Sequence, residues 1–202
     1  MITVRPYTQA DFQQLIGIQG QCFPPPFPPK LWWSEEQIAS HVVRFPAGAM
    51  AAEERGQLVG SATCNRVRFD PGHPHHTWAQ IADDGMIRNY DAQGDTLYGI
   101  DIAVRPAWRG KGVARLLYEA RFALVRKLGL KRFLAGSRLS GYHHHAAMLS
   151  AADYVAEVLA GRLQDPVITP QLRVGLRPVT LLPGYLPDVE ARDHALLMEW
   201  TP

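Results

Sequence analysis

The hydrophobic pattern of this chain changes period most sharply around residue 104. Residues 97–104 (LYGIDIAV) are rich in β-branched and aromatic side chains and read as a strand buried on at least one face. Past residue 112 the apolar positions Val113, Leu116, Leu117, Ala120, Leu124 and Leu128 return at helical spacing, and Gly129 stands where a helix end takes a left-handed residue. Residues 130–137 (LKRFLAGS) resume as a strand. The result is a β-turn-α-β unit whose turn lies at the carboxyl end of its first strand, the edge where such units hold ligands.

The same reading extends outwards. Residues 2–11 give a strand leading into a helix, with Thr8 or Asp11 as its cap, and residues 33–45 give a second helix capped by Ser34. Residues 49–53 and 57–67 pair as a hairpin across Arg55-Gly56. Residues 175–182 and 194–200 suit two last strands, and Ser150 caps a helix that carries Asp153 and Tyr154. Two stretches break the rhythm. Residues 23–29 (FPPPFPP) are too proline-rich for a helix or a central strand and read as an extended connector, and residues 69–94 read as a partly helical insertion.

With 202 residues, 47% hydrophobic and 20% charged, the chain suits one α/β domain over residues 1–202. No apolar run spans a bilayer and no signal pattern stands at Met1, so the expected place is the cytoplasm and no membrane partner is expected. Cys22 and Cys64 are too few for a disulfide framework.

The turn carries the chemistry. Gly110 and Gly112 allow backbone conformations in which successive N–H groups converge on an anion at the positive end of the following helix, and Arg109 and Lys111 add charge. Residues 105–138 hold ten Lys or Arg against one acid, Glu119, in a protein whose formal net charge is +2. A Rossmann fingerprint would need a third glycine where Arg115 stands, and no Walker sequence occurs. The R-G-x-G-x-A turn at 109–114, with V-x-P ahead of it and an amphipathic helix behind, resembles the acetyl-CoA pyrophosphate loop of the GNAT superfamily of N-acetyltransferases. The segments around Thr77-Trp78, Gly94 to Gly99, Gly141-Tyr142, Tyr154-Val155 and Tyr185 to Asp188 further resemble a GNAT subgroup often joined to a nitrilase-type hydrolase.

The resemblance implies a mixed α/β fold, a mostly antiparallel sheet of about seven strands flanked by helices. It also implies transfer of an acetyl group from acetyl-CoA to a primary amine by direct attack. The backbone of Ile102, Ala103 and Val104 would then hold pantetheine and polarise the thioester, while Arg109, Gly110, Lys111, Gly112, Val113 and Ala114 hold the pyrophosphate. Homodimers through terminal strands are known in such domains. A small-molecule amine is the expected partner and nucleic acid is not, since the basic stretch lacks aromatic interleaving.

Proton transfer needs a base and an acid. Asp101 is the only carboxylate on the 97–104 strand; simple alternation puts Tyr98, Ile100 and Ile102 on the face of Val104 and Asp101 on the other. Asp83, Asp84, His73, His75 and His76 are less localised alternatives. Many GNAT enzymes place an acid tyrosine four residues before the glycine of Y-x-x-x-G-[FL], but Gln171 precedes Gly175-Leu176 here. Tyr142 and Tyr154 are the substitutes to inspect, with Tyr98 the tyrosine on the strand itself. Lacking that acid, a non-catalytic acyl-CoA-binding module is the second reading. The histidine runs 73–76 and 143–145 have no zinc spacing, so no metal is expected. The proline stretch, residues 75–78 and residues 141–145 are expected to line a mostly apolar acceptor cleft.

Overall fold

The computed structural model describes residues 1–202. In chain order its strands are β1 (Thr3–Pro6), β2 (Ala49–Glu54), β3 (Gln57–Val67), β4 (Thr96–Val104), β5 (Arg132–Arg138), β6 (Arg177–Leu182) and β7 (Ala195–Trp200). The helices are α1 (Phe12–Cys22), α2 (Glu35–Arg44), α3 (Trp78–Ala82), α4 (Val113–Lys127), α5 (Ala151–Leu159) and α6 (Ile168–Arg173). One seven-stranded sheet runs in the order β1-β2-β3-β4-β5-β7-β6, antiparallel except for β4 beside β5.

Local chemistry sets these elements. Ser34 accepts from the Gln37 amide and Gln37 returns the bond to the Ser34 amide, closing the box that starts α2. Arg55 and Gly56 both take positive φ, 52° and 79°, the conformation a two-residue hairpin needs to match the twist of β2 and β3. Gly129, at φ 62°, follows α4 and sends the chain into β5.

The two faces of β3 show how the layers lie. A Cβ on Gly60 would meet Val113 and Leu117 of α4, whereas Thr63, three residues on, hydrogen-bonds the Tyr7 hydroxyl, which also bonds His41 of α2. Since faces alternate along a strand, α4 covers one side of the sheet and α2 the other. The core between them is one continuous apolar cluster that includes Leu15, Ile18, Ile38, Leu117, Val125 and Phe133.

Two irregularities shape the centre. β4 and β5 are paired only from Thr96–Arg132 to Gly99–Ala135; beyond that β4 stays with β3 as far as Val104 and β5 stays with β7 as far as Arg138, so the two parallel strands part. Within β4, Gly99 pairs with Cys64 and Asp101 with Thr63, leaving Ile100 as an inserted residue. The insertion corrects the expected alternation. Asn65 and Thr63 share a face of β3, so their partners Tyr98 and Asp101 lie on one face of β4, the side of α2.

Candidate active site

The turn after β4 is anchored at its root. The Arg105 amide donates to Val59 O at 3.0 Å, and its guanidinium donates to Leu58 O at 2.8 Å and to Gln21 Oε1 at 3.0 Å. Gly110 (φ 74°) and Gly112 (φ 82°) then take left-handed conformations with open space around them, so glycine is there for the backbone path and not for packing. Gly112 caps α4, whose first internal bond runs from the Leu116 amide to Gly112 O at 3.1 Å. The amides of Val113, Ala114 and Arg115 come before that bond and remain for an anion. Lys111 rests its ammonium 4.8 Å above the Trp108 ring.

The basic run does not form one patch. Arg121 is buried, Arg126 lies over the Trp200 ring, and Lys131, Arg132 and Arg138 pair with Asp95, Glu199 and Asp188. Only Arg109, Lys111 and Arg115 stay in or next to the turn, and Arg115 pairs with Glu119. Helix and strand geometry spread along three dimensions what the sequence concentrates in one.

Where β4 and β5 part, a cleft opens with about 140 Å³ of interior space large enough for water. Phe23, Phe27, Leu31, Trp33, Trp78, Tyr185 and Leu186 wall it with apolar surface, and Gly99 to Ile102 and Ala135 to Arg138 form its strand edges. Trp78 donates its indole N–H to the carbonyl of Ile100 at 2.9 Å, holding the inserted residue in place.

Asp101 is the one carboxylate in this lining. Its Oδ2 is buried and makes no hydrogen bond, and neither does the indole N–H of Trp33 on the same wall. Burial pushes the carboxyl up to about 7, against the opposing pull of the Arg121 charge. Arg121 is itself 1% exposed and has no carboxylate within ion-pair distance. It donates to the carbonyls of Asp101 and Thr63 and lies 5.4 Å from the ring centres of Tyr118 and Phe133.

Gln171, at the position of the expected acid, is buried and joined to two hydroxyls. It accepts from Ser137 Oγ at 2.5 Å and donates to the Tyr118 hydroxyl at 2.8 Å. Tyr118 comes from α4 and lines the cleft, so a phenol reaches this place from a different helix. Burial raises its pKa, which keeps it protonated.

The expected substitutes are elsewhere. Tyr142 donates to Leu149 O at 3.0 Å and Tyr154 to Asp165 Oδ2 at 2.9 Å; neither lines the cleft, and both hydroxyl hydrogens are already committed. Residues 141–145 are likewise outside the lining, whereas Phe23, Phe27 and Trp78 are in it. Tyr98 lies one layer behind, bonded to the Tyr185 hydroxyl at 3.1 Å and to His76 at 2.8 Å. His73 pairs with Asp70, and no group of three or more His, Cys, Asp or Glu side chains is assembled for a metal.

Sequence reading missed Trp33, Tyr118, Arg121 and Tyr185. Tyr118 and Arg121 sit in the apolar stripe of α4, where a phenol passes for core; the signal was an arginine inside that stripe, because a charge there needs a reason. Trp33 and Tyr185 come from segments flanking loops, with no local pattern to mark them.

The family model described as Acetyltransferase (GNAT) family matches residues 12–146. The chain belongs to this GNAT family. It is 43% identical over 199 residues to the uncharacterized N-acetyltransferase YkwB of Bacillus subtilis, covering 98% of this chain and 88% of that protein. It is 37% identical over 200 residues to a second B. subtilis protein, Probable hydrolase YhcX; the match covers 98% of this chain and spans 38% of that relative's length. Among solved structures, the GNAT-like decarboxylase GphF in complex with isobutyryl-CoA overlays with a TM-score of 0.83 at 24% identity, covering 98% of each chain. That overlay shows the shared fold. Membership in the GNAT family and the kinship with YkwB make this chain an acyltransferase.

Proposed function

We propose that this GNAT protein, as a single domain over residues 1–202, transfers the acetyl group of acetyl-CoA to the primary amine of a small, largely apolar acceptor. The observation that carries the reading is the placement of the left-handed Gly110–Gly112 turn and the free amides of α4 at the end of the strand that borders the cleft. A pyrophosphate on Gly110 to Ala114 would send the pantetheine arm along the unpaired edge of β4, where Ile102, Ala103 and Val104 no longer have β5 as a neighbour. That edge can accept and donate backbone hydrogen bonds as it would to an added strand.

Asp101, charged above about pH 7, draws the acceptor ammonium into an otherwise apolar cleft. The amine attacks the thioester carbon, the C–N bond forms, the C–S bond breaks, and the thiolate needs a proton. Tyr118, held by Gln171, which Ser137 bonds in turn, is a cleft phenol available to supply it, so the glutamine at 171 does not favour the non-catalytic reading. The match to part of YhcX supports membership in the subgroup joined to hydrolases.

The reading is tested by calorimetric titration of acetyl-CoA. Gly112→Asp places a side chain and a negative charge at a φ of 82° on the anion path and should weaken binding at least tenfold, about 1.4 kcal/mol. Equal affinity in a folded variant would remove the coenzyme site from this turn.

A further inference from the structure

A file of hydrogen-bonded groups runs from the cleft towards the surface, and one backbone carbonyl fixes its direction. His76, half-buried in the segment between β3 and α3, has Nδ1 2.7 Å from Pro74 O and Nε2 2.8 Å from the Tyr98 hydroxyl. A carbonyl only accepts, so Nδ1 carries hydrogen; in the neutral ring Nε2 is then bare and Tyr98 is the donor to it. The one hydrogen of Tyr98 is thereby committed, so in the 3.1 Å contact between Tyr98 and Tyr185 the donor is Tyr185. The oxygen of Tyr185, a residue that lines the cleft, is left free to accept.

We propose that Tyr185, Tyr98 and His76 form a proton relay that deprotonates the acceptor ammonium, with Tyr185 as the catalytic residue and Tyr98 and His76 carrying the proton onward. The proposal rests on the transferase reading above and names its base. The ammonium N–H bond breaks and its proton goes to the Tyr185 oxygen, the Tyr185 proton goes to the Tyr98 oxygen, and the Tyr98 proton goes to His76 Nε2. The net change is ammonium to amine and imidazole to imidazolium; the nitrogen lone pair is released for attack, and His76 returns its proton to solvent. While His76 is charged the file points the other way and Tyr185 shows a hydrogen to the cleft, so a second ammonium is not deprotonated until His76 discharges.

The surroundings suit that task. His76 faces Tyr98 of β4, Tyr185 of the β6–β7 connection and the edge of Phe69, with His75 beside it in the chain, and no carboxylate or guanidinium bonds to it. Burial, with His75 adding to it, disfavours the imidazolium, so the ring is neutral at pH 7 as the relay requires. The geometry is also locked. The Trp78 amide donates to Tyr185 O at 2.7 Å, and the Tyr185 ring lies where a Cβ on Gly136 would be.

The test uses the whole protein with acetyl-CoA and with propylamine, phenethylamine and spermidine as acceptor probes. Long-range proton–nitrogen correlation at pH 8 should show His76 as the Nδ1–H tautomer, and an Nε2–H tautomer would overturn the relay. His76→Gln should lower kcat for the acetylated probe by about a hundredfold with acetyl-CoA affinity unchanged. At saturating acceptor, where the charging of Asp101 that draws the ammonium in no longer limits the rate, the rising limb of the wild-type kcat profile should follow the His76 titration seen in the spectra and vanish in Tyr98→Phe. A limb that persists unchanged in both variants overturns the relay. If acetyl-CoA binds and no probe is acetylated, the transferase reading is what fails, and the relay is decided by the tautomer.

Discussion

Replacing Asp101 by asparagine removes the only carboxyl of the cleft while keeping its shape, and the structure sets the size and sign of the consequence. The folded carboxyl titrates at about 7, against 3.8 for an ordinary aspartate. That gap of roughly three pH units, at about 1.4 kcal/mol each, has a ceiling near 4 kcal/mol. The residue is partly open to the cleft and water screens it, so about 2 kcal/mol is the working figure. Because the folded pKa lies above the unfolded one, the folded protein keeps a proton that the unfolded chain has already lost between about pH 4 and 7. Stability from this group is therefore full below about pH 4, falls as pH rises through that window and is gone above about 7. The asparagine side chain of Asp101→Asn does not titrate. Urea unfolding of both proteins at pH 4.5, 6 and 8, compared pairwise so that all other groups cancel, should show the variant gaining about 2 kcal/mol on the wild type towards pH 8. A constant difference, or one that moves the other way, would mean that Asp101 is not held off its ordinary titration and is not the poised anion of the cleft.

Two further substitutions test the packing that shapes the site. Gly136→Ala drives a methyl group into the Tyr185 ring and should cost about 1–3 kcal/mol in thermal or urea unfolding, with a larger loss of transfer activity because Tyr185 is displaced. Trp78→Phe leaves the Ile100 carbonyl without its indole donor in a buried setting, a penalty of about 1–3 kcal/mol, and hydrogen exchange should rise locally at the β4 insertion; protection equal to wild type would contradict that role for Trp78.

The elements whose causes are local were legible. The spans of β3 and α4, the Ser34 and Ser150 caps, the Arg55-Gly56 hairpin and the glycine turn ahead of α4 each follow from a few adjacent residues, and the structure has them where the pattern put them. The face of Asp101 was not legible, because the inserted residue Ile100 exists only in the register against β3, and one insertion reverses every later side chain. Residue type alone points to Tyr142 and Tyr154, whose partners Leu149 and Asp165 belong to a segment whose folding no local pattern gives away. Of the two phenols that do reach the cleft, Tyr118 was hidden by good helical spacing and Tyr185 by its place in a connection without periodicity. Charge counting along the chain failed for the same reason that it attracts attention: it ignores the partners Asp95, Glu199 and Asp188 that distant segments supply.

The central claim is that the cleft between β4 and β5 joins an acetyl group from acetyl-CoA to a primary amine. Its most direct measurement is incubation of the intact protein with acetyl-CoA carrying an isotopically labelled acetyl group and with phenethylamine or propylamine, followed by mass spectrometry of the amine and thiol detection of the coenzyme. The account predicts labelled amide and free coenzyme A in equal amounts, both lost in Gly112→Asp. Tight binding of acetyl-CoA with neither product formed from either amine would contradict it.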